Sequence, residues 1–155
     1  EDGSYTLNRT TLTEDNVIVI DLGRSNEYLY LEYRTRTGDY EDNIPSEGVI
    51  VYRVDKDFEG NYDGMYDDDF NSLDEVYIFR EVTFNQEQLA LGKYIIEDAG
   101  NSNNAALYFG INNEMGVGTD IPMFYSDGSE IMIIITITGQ DTDQAVLTIE
   151  FIPTP

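Results

Sequence analysis

Hydrophobic and polar residues alternate in short runs along the whole chain, and the runs predict strands. Residues 16–22 (NVIVIDL) and 27–35 (EYLYLEYRT) are rich in β-branched and aromatic side chains, and Gly23-Arg24-Ser25-Asn26 turns the chain between them. Successive strand residues point to opposite faces. In the second run Leu29, Leu31 and Tyr33 therefore share one face, and Tyr28, Tyr30, Glu32 and Arg34 share the other. The first face is the expected core. Residues 5–8, 48–54, 75–80, 93–97 and 105–109 predict further strands, 5–8 the weakest of them, and residues 86–91 a single helical turn. Residues 112–122 read as irregular. Residues 131–138 (IMIIITIT) are apolar on both faces in their first half, which predicts a central strand. Residues 145–152 (AVLTIEFI) return with Val146, Thr148 and Glu150 toward water and Leu147, Ile149 and Phe151 toward the core.

About nine short strands separated by turns, with no helical period sustained over three turns, predict an all-β fold: an antiparallel β-sandwich, jelly-roll-like. The chain shows no internal repeat. A single β-sandwich domain is expected over 1–152, with 153–155 starting a linker.

Charge narrows the function. There are 31 acids against 8 bases, a net charge of −23. Nucleic-acid binding needs a basic footprint, which is missing here, and an anionic membrane surface would repel the chain. The longest apolar run, 131–135, is far short of the roughly 20 residues a membrane helix needs. The chain contains neither cysteine nor histidine. It therefore lacks disulfides, the common zinc ligands and every histidine-based catalytic arrangement. A non-enzymatic role is expected.

The acids concentrate between the strands at 48–54 and 75–80. Asp55, Asp57, Asp63, Asp67, Asp68, Asp69 and Asp74 lie there with Glu59, opposed only by Lys56. Clustered carboxylates repel unless a cation sits among them, and oxygen ligands suit calcium. These seven aspartates are the candidate ligands, against the plainer reading of a solvated acidic connection. Asp55-x-Asp57-x-Glu59-Gly60-x-x-Asp63 begins like an EF-hand loop, but its twelfth position is Tyr66, and the flanks are strands rather than helices.

Three other patterns carry chemistry. Glu32, Arg34, Arg53 and Arg80 fall within strands, which points to an ion pair between strands. The catalytic alternative would pair Glu32 with Asp21 or Asp39, as glycosidases pair carboxylates, but a chain this acidic supplies such pairs by chance. Tyr28, Tyr30, Tyr52, Tyr62, Tyr66 and Tyr77 could form an aromatic platform for sugar or peptide, or pack half-buried along the strands. Gly116-Val117-Gly118 is too little for a phosphate-binding loop.

The residues Glu27-Tyr28-Leu29-Tyr30-Leu31-Glu32-Tyr33-Arg34 resemble the EYxxLExR strand of immune inhibitor A-like zinc metallopeptidases. Gly48-Val49-Ile50-Val51-Tyr52-Arg53-Val54-Asp55, Gly60-Asn61-Tyr62 and Asp74-Glu75-Val76-Tyr77-Ile78-Phe79-Arg80 follow in the same order as the landmarks of the β-rich region after the catalytic domain. The family's zinc motif H-E-x-x-H is absent, so no zinc or catalytic residue carries over. The resemblance implies a non-catalytic accessory β-sandwich of a secreted, bacterial-type metallopeptidase, extracellular or at the cell surface. Its partner would be the protease domain of the same polypeptide, with a protein or glycan substrate, and it leaves room for calcium in the acidic segment. The alternative is a free-standing calcium-dependent adhesin or carbohydrate-binding module.

Overall fold

Runs of Val, Ile and Tyr form strands because their side chains fit a pleated surface, and each strand then has one face that must leave water. In the computed structural model, which describes residues 2–12, 14–24, 26–37, 47–57, 76–98, 105–110 and 112–153, this gives eleven strands and one helical turn. In chain order these are β1 (Gly3–Asn8), β2 (Val17–Asp21), β3 (Glu27–Arg34), β4 (Gly48–Asp55), β5 (Val76–Ile78), β6 (Thr83–Phe84), α1 (Gln86–Leu89), β7 (Ile96–Asp98), β8 (Ala106–Leu107), β9 (Glu114–Gly116), β10 (Ile133–Gln140) and β11 (Gln144–Phe151).

The strands make two main antiparallel sheets. One has the order β1-β11-β10-β9. The other has the order β2-β3-β4-β5, with β8 beside β4 next to Val49 and Ile50. The small pair β6-β7 forms a third sheet, packed on the same core through Ile96 and Phe84. Leu29, Leu31, Val49 and Val51 from one sheet meet Leu7, Met115, Ile133, Ile135, Ile137 and Leu147 from the other, all buried in a single core cluster. This is the expected all-β sandwich.

The expected strands recur, the one at 93–97 only in part because β7 begins at Ile96, and β6 and β9 add to the nine, β9 within the stretch 112–122 expected to be irregular. The core face of β3 is the one carrying Leu29, Leu31 and Tyr33. Strand β10 is interior to its sheet, between β11 and β9, as its two-faced apolar pattern requires. The helical turn is four residues long, and Asn85 caps it by accepting the N–H groups of Glu87 and Gln88. Phe151 departs from expectation. Leu147 and Ile149 are buried as predicted, but Phe151 is 36% exposed. It pairs with Ile133 two residues beyond Ile149, the last partner of β1, so no neighbouring strand covers it on that side.

Candidate functional site

The register of β3 on β4 sets Glu27 opposite Asp55 and Leu29 opposite Arg53. All four residues have inward parity, so two acids and one arginine enter the sandwich. Arg53 is fully buried, and Glu27 and Asp55 are each 2% exposed. Arg53 Nε lies 3.4 Å from Glu27 Oε2, and Nη1 donates to the Phe124 carbonyl at 3.0 Å. Glu27 also accepts the Ser126 N–H at 2.8 Å and the Ser126 hydroxyl at 2.9 Å. The guanidinium sits 5.6 Å from the centroid of Tyr77 and 6.0 Å from that of Phe124, within the range of cation–π attraction. Burial pushes the Glu27 carboxyl above its ordinary value. The Ser126 hydrogen bonds and Arg53 pull it back, and the Asp55 charge adds to the rise.

The ion pair expected between strands therefore exists, but with a different acid. Glu32 pairs with Arg34, two residues along the same strand on the outer face. Arg80 donates to the Ile78 carbonyl at 2.8 Å and lies 5.4 Å from the Tyr77 ring centroid. Asp21, the suggested catalytic partner of Glu32, accepts the Gly23 N–H in the turn after β2, and Asp39 lies outside the described residues. The signal for Glu27 was its parity with Leu29, Leu31 and Tyr33. An acid in phase with a core face has to find a partner inside, whereas nothing local marked Ser126.

Two candidate calcium ligands are described. Asp55 Oδ1 accepts the Asp57 N–H at 3.0 Å, and Asp57 Oδ1 accepts the Asn26 side-chain N–H at 2.7 Å. Together with the Lys56 N–H on the Asn26 carbonyl, this ties the end of β4 to the turn between β2 and β3. Asp63, Asp67, Asp68, Asp69 and Asp74 lie outside the described residues. Among the described residues no three acids group so as to hold a metal ion. The donor chemistry suits calcium, since every candidate offers oxygen, but Asp55 and Asp57 would supply only part of the six to eight oxygens it takes.

The tyrosines divide between the two faces. Tyr77 points into the core, 5.3 Å from Phe79 and 5.2 Å from Phe124 between ring centroids. Tyr62 and Tyr66 lie outside the described residues. Tyr28, Tyr30 and Tyr52 share the outer face of the β2-β3-β4-β5 sheet, where the register builds rows across four strands. Val19, Tyr30, Tyr52 and Ile78 form one row; Asp21, Tyr28, Val54 and Val76 form the next. Tyr30 and Tyr52 stack with centroids 5.5 Å apart and planes 9° from parallel. Lys56 Nζ lies 3.9 Å above the Tyr28 ring. Around these rings Val17, Val19, Val76 and Ile78 are exposed. An outer sheet face normally alternates to polar residues, and this one stays largely apolar across its width.

Comparisons with protein-family models, with curated proteins and with solved structures found no match to this chain.

Proposed function

We propose that this domain is a non-catalytic accessory β-sandwich of a secreted metallopeptidase, and that the outer face of β2-β3-β4-β5 packs against the protease domain of the same polypeptide. The apolar rows on that face carry the reading. Contiguous exposed apolar surface is a hallmark of docking sites. The ring geometry favours a protein partner over a sugar. Tyr30 and Tyr52 already cover one face of each other, and Lys56 covers a face of Tyr28, so fewer ring faces remain for stacking a saccharide. The Arg53 node serves the sandwich interior, in keeping with an architectural rather than a catalytic set of charges.

The test uses the natural polypeptide and the isolated domain side by side. Val19→Lys and Ile78→Lys alter exposed side chains, so in the isolated domain each should change stability by no more than about 0.5 kcal/mol. In the natural polypeptide the pair should raise hydrogen exchange of the outer face and speed proteolytic separation of the domain. A natural reading frame without a metallopeptidase domain would sink the proposal, as would identical exchange in variant and wild type. Binding to glycan arrays that Tyr52→Ala abolishes would instead favour the carbohydrate-binding alternative.

Calcium belongs to the same reading, held by Asp55 and Asp57 with carboxylates from Asp63, Asp67, Asp68, Asp69 and Asp74. An ion that binds only the folded state stabilises it by about 2.7 kcal/mol at a hundredfold excess over its dissociation constant. The unfolding midpoint should climb through a calcium titration after EDTA, hold still with magnesium, and climb less in Asp57→Asn. A midpoint indifferent to calcium would return the segment to a solvated acidic connection.

A further inference from the structure

Strands β1 and β2 are the edges of the two sheets on one side of the sandwich, and a groove of about 200 Å³ opens between them. Tyr5, Ile149 and Phe151 line it with Ile18, Val19, Ile20 and Asp21 of β2, and the surface they expose there is more polar than apolar. At the end of β1 the Asn8 N–H donates to the Asp15 carbonyl, just before β2, at 2.8 Å.

Backbone parity shows which groups face the groove. The Leu22 N–H donates to the Glu27 carbonyl across the β2–β3 pair. In an antiparallel pair alternate residues turn both backbone groups toward the partner. Ile18 and Ile20, in phase with Leu22, therefore face β3, and Val17, Val19 and Asp21 turn their N–H and C=O groups outward. On β1 the Arg9 N–H donates to the Asp143 carbonyl, on the β11 side, while the Asn8 N–H turns the other way. Ser4 and Thr6 share the parity of Asn8 and face outward too. Among the described residues no strand pairs with the outward edge of β2, whereas the chain just past β1 meets β3 in the Arg9–Tyr33 bridge.

An exposed apolar edge usually carries a lysine, a proline or a bulge that blocks further pairing. Val17-Ile18-Val19-Ile20-Asp21 has neither lysine nor proline, and it pairs with β3 in unbroken register. We propose that the β2 edge takes up an extended, basic peptide segment as an added strand, by β-augmentation. Alternate side chains of the added strand would drop toward Ile18, Ile20 and Phe151. The others would lie beside Val17 and Val19. Charge selects the occupant. Edge-to-edge pairing with a second copy would bring a net −23 against −23, whereas Lys or Arg in the added segment meets Asp21 at the groove and the acidic field of the whole chain.

The experiment uses a fluorescein-labelled peptide of alternating lysine and valine, KVKVKVK, with EVEVEVE as control, in anisotropy titrations against the full chain. The expected result is saturable binding of the basic peptide, weakening with added salt, and none of the acidic one. Val19→Pro deletes an outward N–H, a change that edge strands accept. It should weaken binding about tenfold or more through lost edge hydrogen bonds. Independently of that variant's folding, hydrogen exchange on the wild-type chain should show the Val17, Val19 and Asp21 amides exchanging fast alone and slowly with peptide. Binding without that protection, no binding of the basic peptide, or self-association of the chain through this edge in sedimentation would each overturn the proposal.

Discussion

Arg53→Met should lower the unfolding free energy by about 3–5 kcal/mol, the usual cost of removing one partner from a buried ion pair. Methionine keeps most of the side-chain volume beside Tyr77 and Phe124 but neither the charge nor the donors. The variant leaves Glu27, 2% exposed, inside the sandwich without its cation. The Phe124 carbonyl loses its 3.0 Å donor as well. Urea unfolding of wild type and variant at neutral pH measures the loss directly. A drop below about 1 kcal/mol would mean that the node is not held by charge. The double variant Glu27→Gln, Arg53→Met should recover part of the loss, because the charge stranded by the single substitution is gone.

The pH dependence gives an independent check on the same node. The folded carboxyl of Glu27 sits above its ordinary value of 4.5, chiefly through burial. A raised carboxyl binds its proton more readily in the folded state than in the unfolded chain. Its contribution is therefore most favourable below the ordinary value and declines as pH rises through the folded one. Without Arg53 the rise should be larger. The deficit of Arg53→Met should accordingly be greatest at neutral pH and shrink toward acid. A deficit flat in pH would assign the loss to packing alone.

Much of the fold was legible because periodicity is local. The parity of residues 27–35 alone set Leu29, Leu31 and Tyr33 inside and the tyrosines outside, and it also put Glu27 in the core phase. What parity cannot supply is the partner. Ser126 and the Phe124 carbonyl come from a connection 99 residues from Glu27 and 71 from Arg53, and they reach these two only when the sheets close. Strands β6 and β9 were missed for a related reason. At two and three residues they carry little pattern of their own and exist because β7 and β10 lie alongside. The tyrosine platform was half legible: alternation grouped Tyr28 with Tyr30, but Tyr77 had to be seen against Phe79 and Phe124 before it could be removed from the set.

Gly116→Ala should cost about 3–5 kcal/mol, an exceptional loss for adding one methyl group. Sequence marked Gly116 and Gly118 only as a weak glycine pair, whereas the fold gives each a different role. Gly116 ends β9 at φ +123°, paired with Ile134 of β10. A Cβ there would stand 1.9 Å from the Ile133 carbonyl oxygen and 2.9 Å from the carbonyl carbon, both backbone atoms. They cannot swing aside as a side chain can, and the Ile133 carbonyl also accepts the Val117 N–H. The clash would push β9 off β10 and uncover the fully buried Met115. Gly118 also has positive φ, +75°, but a Cβ there meets nothing within 4 Å. Gly118→Ala should therefore cost only the left-handed penalty of about 1–2 kcal/mol. Chemical denaturation of the two variants separates backbone strain from steric exclusion. Equal losses would place the whole cost in φ, whereas a loss at Gly116 well beyond that at Gly118 would place the difference in the close approach of β9 to β10.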